Sequence, residues 1–484
     1  MRKNISYLPA WLAMLFGAVV NATLFIDPLD ETLWSLVVYV VMSLVTYWLL
    51  QKIFFWRHRN QAGADWSAAF ILFTSTLTGL VSEGLLFKPG FDLPRGGIIC
   101  YLIALALAFG ILFYISTPAL SKALKYFLII GCVSTISVKI HGFCRSWRQI
   151  TPLEDVVLTP TGPVTAKPDI YFVLMDEYSG NPALQQYWHY DNSSWHQQLA
   201  RLDLQPVDNA RSHINSTLYE MACLFNLTGF RQLDYAFRYG NFGLFFHRYV
   251  RTNKLFTFLR EQGYTLELDS LLAADDPLFF SPVHTNKFNH HLSSILGRCL
   301  QTKLLYTMIY NRKLADQTRA ALTVYDRVRL SDLVRTLEKK IDLAPSFTYL
   351  HLMFTHTPYR YASDGSTSPD ATYLSQIAYN NTLTLDFARQ LIGKYQQANK
   401  PLVLILMSDH GSRGNAAPDE DQSIQMLVYD SSDKLNHLEE NLDGVNLFRM
   451  LLAAHFNVPL PKQEYPGFTY IANPVRQPAA SPAD

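Results

Sequence analysis

The stretch Leu404-Ile405-Leu406-Met407-Ser408-Asp409-His410-Gly411 sets the reading of this chain. A continuous apolar run ends abruptly in Asp-His-Gly, the pattern of a buried strand that delivers two metal-capable side chains at its C-terminal tip. In open α/β sheets that tip is where ligands bind. A carboxylate beside an imidazole suits zinc, manganese, magnesium or a similar divalent ion. Alone the string is weak, because polar turns after strands are common.

Two further strands repeat the pattern upstream. Asp169 to Met175 is an apolar run with β-branched and aromatic residues, and it ends in Asp176-Glu177-Tyr178-Ser179-Gly180. Phe347 to Phe354 ends in Thr355-His356-Thr357-Pro358-Tyr359. Short strands are expected at Leu204 to Val207 and Tyr264 to Leu268. Helices are expected at Trp195 to Leu202, Thr217 to Phe225, Lys254 to Gln262, Leu330 to Ile341 and Tyr373 to Tyr395. This alternation predicts an α/β fold, a largely parallel sheet with helices on both faces. If the three strands are parallel neighbours, Asp176, His356, Asp409 and His410 converge on one rim. Two carboxylates and an imidazole then form a three-ligand site with an open coordination position, as catalytic metals require.

A nucleophile candidate lies between the first two of these strands, in Arg211-Ser212-His213-Ile214-Asn215-Ser216-Thr217. A hydroxyl at a helix start has backbone N–H groups and the helix dipole aimed at an attacked anion. The competing role for Ser216 or Thr217 is simple N-capping, which Ser and Thr fill widely.

The first 140 or so residues have a different character. Five apolar stretches follow one another: Tyr7 to Phe25, Leu33 to Leu50, Ala68 to Phe87, Ile98 to Ile115 and Leu124 to Ile140. Each has about the length of a bilayer-crossing helix. Arg2 and Lys3 precede the first, and Lys52, Arg57, Arg59, Lys122 and Lys125 fill alternate loops, which favours an internal N-terminus. Five spans then place everything after Ile140 outside the cytoplasm. The expected organisation is a five-helix transmembrane domain at 1–145, a Pro/Thr-rich linker at 146–168, a catalytic domain at 169–473 and a disordered tail at 474–484. Net charge is +1, so composition points to no nucleic-acid partner. The five cysteines show no paired spacing, which argues against a disulfide framework or zinc ribbon. A single bridge among Cys144, Cys223 and Cys299 stays open.

As an ordered set, KPDIYFVLMDEYSG (167–180), NSTLYEMACLFN (215–226), FTHTPYRYASDG (354–365) and LVLILMSDHGSRG (402–414) resembles the sulfatase-like branch of the alkaline phosphatase superfamily. Its membrane-anchored members include lipoteichoic acid synthases and phosphoethanolamine transferases, whose layout is similar. The resemblance implies an alkaline-phosphatase-like domain with one divalent metal on Asp176, Thr217, Asp409 and His410, and Thr217 as nucleophile. It places His356 against the substrate head group or, as in some members, a second metal. Arg360 and Arg413 stand beside these motifs as candidate partners for a phosphate oxygen. The implied activity is transfer of a phosphoglycerol- or phosphoethanolamine-like head group to an envelope lipid or glycan, by a multi-pass enzyme of the cell membrane. The alternatives are a metal-dependent phosphodiesterase, phosphatase or sulfuric-ester hydrolase, or a catalytically silent envelope-assembly protein. The Cys/Ser-x-Pro-x-Arg string of sulfatases proper is missing around Cys223.

Overall fold

The computed structural model describes residues 29–81, scattered positions within 107–137, and residues 151–231, 249–269, 345–412 and 418–464, apart from single positions 165, 251, 358 and 436. Its strands are β1 (Thr151–Pro152), β2 (Asp169–Met175), β3 (Gln205–Pro206), β4 (Phe230–Arg231), β5 (Thr265–Asp269), β6 (Ser346–Leu352), β7 (Leu402–Met407) and β8 (Met426–Asp430). Its helices are α1 (Leu29–His58), α2 (Gln61–Val81), α3 (Asn181–Trp188), α4 (Ser193–Ala200), α5 (Thr217–Asn226), α6 (Lys254–Glu261), α7 (Tyr373–Gln397), α8 (Pro418–Gln422) and α9 (Gly444–Phe456).

Six strands form one sheet in the order β3-β8-β7-β2-β6-β5. The four from β7 to β5 run parallel, while β8 is antiparallel to β7 and β3 is antiparallel to β8. The sheet is therefore mixed, parallel through its centre. Every residue of β2 and β7 is buried, which explains why both read as unbroken apolar runs. Side chains on alternate positions feed two cores. On one face Ile170, Phe172 and Leu174 pack with α5, α6 and α9; on the other Tyr171, Val173 and Met175 pack with α4 and α7. Helices cover both faces, as expected for α/β alternation.

Several helix starts are fixed by local chemistry. Thr372 and Ser375 make a capping box on α7, Asn253 accepts from the Phe256 amide at α6, and Asp443 accepts from the Asn446 amide at α9. The sequence reading gives no strand at Met426–Asp430, no helix at Asn181–Trp188 and none at Gly444–Phe456; all three form. β8 is a short run whose place is set by its neighbour β7, and no local signal announces it. The expected strand at Leu204 to Val207 is reduced to Gln205–Pro206, since only those residues pair with Leu427 and Val428. The expected helix Leu330 to Ile341 and the tail lie outside the described residues.

The Pro/Thr-rich stretch after residue 150 is seated on the domain. β1 pairs antiparallel with β4, Val156 enters the core, and the Asp155 carboxylate meets Lys254 at 2.7 Å. Glu154 pairs with the buried Arg449, whose guanidinium also donates to the carbonyls of Leu227 and Pro461. Cys223 is buried and free, so it takes no part in a bridge.

In the N-terminal part, α1 and α2 meet across Tyr47, Phe54, Ala64, Ala68 and Ala69. Two expected spans overlap these helices. Tyr7 to Phe25 and much of the last two lie outside the described residues. Among the described residues, no helix is long and apolar enough to cross a membrane.

Candidate metal centre

The three central strands β7, β2 and β6 are neighbours, so their C-terminal ends open on one rim. Asp176 follows β2, and its amide still donates to the Leu352 carbonyl at 3.0 Å, holding the residue on the last rung of the ladder. Glu177 then turns the chain with φ 61°, a left-handed conformation uncommon for a side-chain-bearing residue. That turn aims the Glu177 amide at Asp409 Oδ1, 3.2 Å away.

At the tip of β7, Ser408 donates through Oγ to the Tyr178 carbonyl at 2.6 Å and accepts from the Gln425 amide at 2.9 Å. Asp409 and His410 follow, both wholly buried. A Cβ on Gly411 would land on the Glu420 carbonyl oxygen and 2.7 Å from that of Ser423, so only glycine lets the chain pass. The Gly411 amide donates to the Asp421 carbonyl, and the Ser412 amide to Ser179 Oγ.

Asp176, Asp409 and His410 each present one ligand atom within 4.8 Å of the others. His410 Nε2 lies 3.3 Å from Asp409 Oδ2 and 4.0 Å from Asp176 Oδ1. Its other ring nitrogen, Nδ1, is 2.9 Å from the Gly411 carbonyl, which only accepts. The Nδ1–H tautomer therefore leaves Nε2 with a bare lone pair. Asp176 Oδ1, Asp409 Oδ2 and His410 Nε2 are all buried without a hydrogen-bond partner. Three acceptor atoms facing one another in a dry site are unfavourable unless a cation joins them. The donor set fits a divalent ion such as zinc or manganese.

The charges agree with that fit. Burial works against the ionised form of Asp176, but the His351 hydrogen bond and the nearby His356, His351 and His410 rings hold its carboxyl well below the usual range. Burial, then the Asp176 charge, push the Asp409 carboxyl up; His410 and the Thr217 hydroxyl pull the other way. The two adjacent carboxylates are thus displaced in opposite directions.

Thr217 is the first residue of α5, after Ser216 as N-cap. Ser216 makes no side-chain cap bond, and the Thr217 side chain lies close enough to Asp409 to draw its carboxyl down. Neither hydroxyl acts as the cap. The preceding loop is fixed by Glu220, whose Oε2 accepts from the amides of His213 and Ile214 at 3.3 and 3.1 Å. Asn215 adds a bond to Asp421 at 3.0 Å. Burial and the charge of Asp443 push the Glu220 carboxyl well up.

His356 is half-buried, with Nδ1 2.6 Å from the Thr357 carbonyl, and close enough to Asp176 to bias its charge. Arg360 is half-buried on a loop pinned by the Gln376 side chain to its amide at 2.8 Å. Arg413 lies outside the described residues, as do His284, His290 and His291.

Sequence reasoning missed His351, whose Nε2 is 3.0 Å from Asp176 Oδ2 with both side chains buried. The available signal was an ionisable residue inside the strand Phe347 to Leu352, where a buried imidazole needs a partner. It also missed Glu220, one helical turn beyond Thr217.

The sulfatase family model matches residues 210–455, about half of the chain. The chain belongs to the sulfatase family. It is an enzyme of the sulfatase-like branch of the alkaline phosphatase superfamily. Among solved structures it is similar to the integral membrane lipooligosaccharide phosphoethanolamine transferase A of Neisseria meningitidis, at 13% identity, with 94% of this chain and 96% of that one covered and a TM-score of 0.40. It is also similar to the C-terminal periplasmic domain of a phosphoethanolamine transferase from Campylobacter jejuni, at 15% identity, 62% and 97% coverage and a TM-score of 0.37. A third is the corresponding Escherichia coli domain in complex with zinc, at 15% identity, 62% and 87% coverage and 0.36. No curated protein matches the chain.

Proposed function

We propose that this sulfatase-like enzyme is a metal-dependent transferase that moves a phosphoglycerol- or phosphoethanolamine-like head group to an envelope lipid or glycan. The reading rests on one observation above all: three partnerless buried acceptor atoms of Asp176, Asp409 and His410 face one another at the rim, with Thr217 beside Asp409.

Thr217 Oγ is the nucleophile in this reading. Asp409 beside it would take its proton and leave a lone pair for attack on phosphorus, and the first turn of α5 brings backbone amides and the helix dipole to the same place. Attack forms the Oγ–P bond and breaks the bond from phosphorus to the donor lipid. An acceptor hydroxyl then attacks the phospho-threonine, and the Oγ–P bond breaks. Asp176, Asp409 and His410 would hold a divalent ion, which would supply Lewis-acid polarisation and lower the pKa of an adjacent hydroxyl. His356, Arg360 close after it in sequence, and Arg413 close after His410 are assigned to the head group and its phosphate oxygens.

The proposed organisation keeps 1–145 as a five-helix membrane domain, 146–168 as the connection and 169–473 as an extracytoplasmic catalytic domain. Its support is the surface chemistry of the N-terminal part. Among the described residues every exposed large hydrophobic except Val157 lies between Val41 and Val133, including Trp48, Trp56, Ile111, Tyr114 and Phe127. A soluble surface does not carry such a concentration.

The test is product analysis with lipid donors in detergent. Head group on a second lipid or glycan means transfer, whereas free head group alone means that water is the acceptor and the enzyme is a hydrolase. Thr217→Ala that retains full activity on any substrate would sink the assignment.

A further inference from the structure

We propose that His351 is a positioning residue that sets the metal affinity of the centre by fixing the carboxylate of Asp176; the inference rests on the metal-centre reading above. His351 stands in register with Leu174, two residues before Asp176, and so on the face of the sheet toward which Asp176 points. Its ring is held in an aromatic column. It stacks on Tyr349 with centroids 6.4 Å apart and an interplanar angle of 16°, and Tyr349 stacks on Phe172 at 5.1 Å and 14°. Both His351 and Asp176 are almost fully buried.

Within that frame the geometry is directional. An ionised carboxylate only accepts, so His351 Nε2–H donates to Asp176 Oδ2 across 3.0 Å. With Oδ2 occupied, the side-chain torsion of Asp176 is set, and Oδ1 is the atom left facing Asp409 and His410. The Thr355 hydroxyl fixes the backbone of the same residue by donating to the Asp176 carbonyl. In many metal sites a carboxylate backs a ligating histidine; here a histidine backs a ligating carboxylate, with the same consequence for orientation and basicity. Among the described residues, none hydrogen-bonds to Asp176 Oδ1.

The test compares two amide replacements of equal chemistry and different reach, His351→Gln and His351→Asn, in the full-length chain in detergent. Gln places its amide nitrogen near the position of imidazole Nε2, while Asn stops short, near Nδ1. Zinc affinity is measured by competition with a chromophoric chelator, alongside thermal melts of the metal-free proteins. The expected result is zinc binding close to wild type for Gln and about 10–100-fold weaker for Asn, with similar metal-free melting midpoints. Equal affinities for the two variants, whether both near wild type or both weakened, overturn the proposal, because packing alone then accounts for His351. Wild-type protein that takes up no zinc overturns the metal-centre reading itself and this inference with it.

Discussion

Asp409→Asn should stabilise the metal-free protein while abolishing its response to metal. In the metal-free state Asp176 and Asp409 bring ligand oxygens within 4.8 Å of each other in a dry site. Two full charges at that distance repel by roughly 3.5 kcal/mol at an effective dielectric of about 20. The nearby His351 and His356 offset part of this, while burial and the Asp176 charge push the Asp409 carboxyl up. Asparagine removes the remainder and keeps the useful contact, since its Oδ1 still accepts from the Glu177 amide. Its Nδ2 takes the place of Oδ2, 3.3 Å from His410 Nε2, and supplies the donor that this lone pair lacks. The net gain is about 1–2 kcal/mol, or a rise of roughly 2–6 °C in melting midpoint for a domain of this size. Metal acts in the opposite direction on wild type, adding about 2.7 kcal/mol at a concentration 100 times the dissociation constant. The assay is a thermal melt of both full-length proteins at one scan rate, with EDTA and with zinc or manganese. The order of stability should invert between the two conditions. A variant less stable than wild type in EDTA, or one stabilised by metal as strongly as wild type, refutes the reasoning.

Gly411→Ala should lose metal binding and activity together, at a stability cost of about 1–3 kcal/mol or more, because its Cβ meets the backbone carbonyls of Glu420 and Ser423; metal content of the purified variant checks it. His455→Leu removes the 2.9 Å bond to Asp430, whose carboxyl burial would raise but His455 draws below its usual range. A depressed folded carboxyl contributes stability above its unfolded value near about 4 and loses it as pH falls through the folded one. The gap in urea midpoint between wild type and variant should therefore be full at pH 6–7 and narrow below about pH 4. Arg449→Met leaves Glu154 and the carbonyls of Leu227 and Pro461 without their donor. It should cost about 2–4 kcal/mol by chemical denaturation and expose the 151–164 stretch to protease. Glu220→Gln keeps an acceptor for the His213 and Ile214 amides while removing a carboxyl that burial and Asp443 push up. A raised folded carboxyl weakens the fold as pH rises above the unfolded value, so this variant should gain stability over wild type at pH 8 in EDTA.

Much of the fold was legible because the central strands are buried on both faces. β2 and β7 must then be continuous apolar runs, and a polar residue at their ends marks the rim, which is why Asp176, Asp409 and His410 stand out in the sequence. Periodicity likewise placed α5, α6 and α7 to within a few residues. What it could not place was β8, a five-residue run that is a strand only because β7 offers it an open edge. The mixed character of the sheet follows from that strand, which is antiparallel to both β7 and β3.

For the site, sequence alone determined the kinds of side chain and the strands that carry them, because those depend on local pattern. Only the tertiary structure decided which atoms lack partners, and three such acceptors facing one another favour the metal-centre reading over three polar turns. Whether Nε2 of His410 carries a proton depends on a carbonyl one residue away, and whether Asp176 Oδ1 is free depends on a histidine that is remote in the chain. Such satisfaction is a property of three-dimensional contacts between distant segments, and no spacing along the chain encodes it.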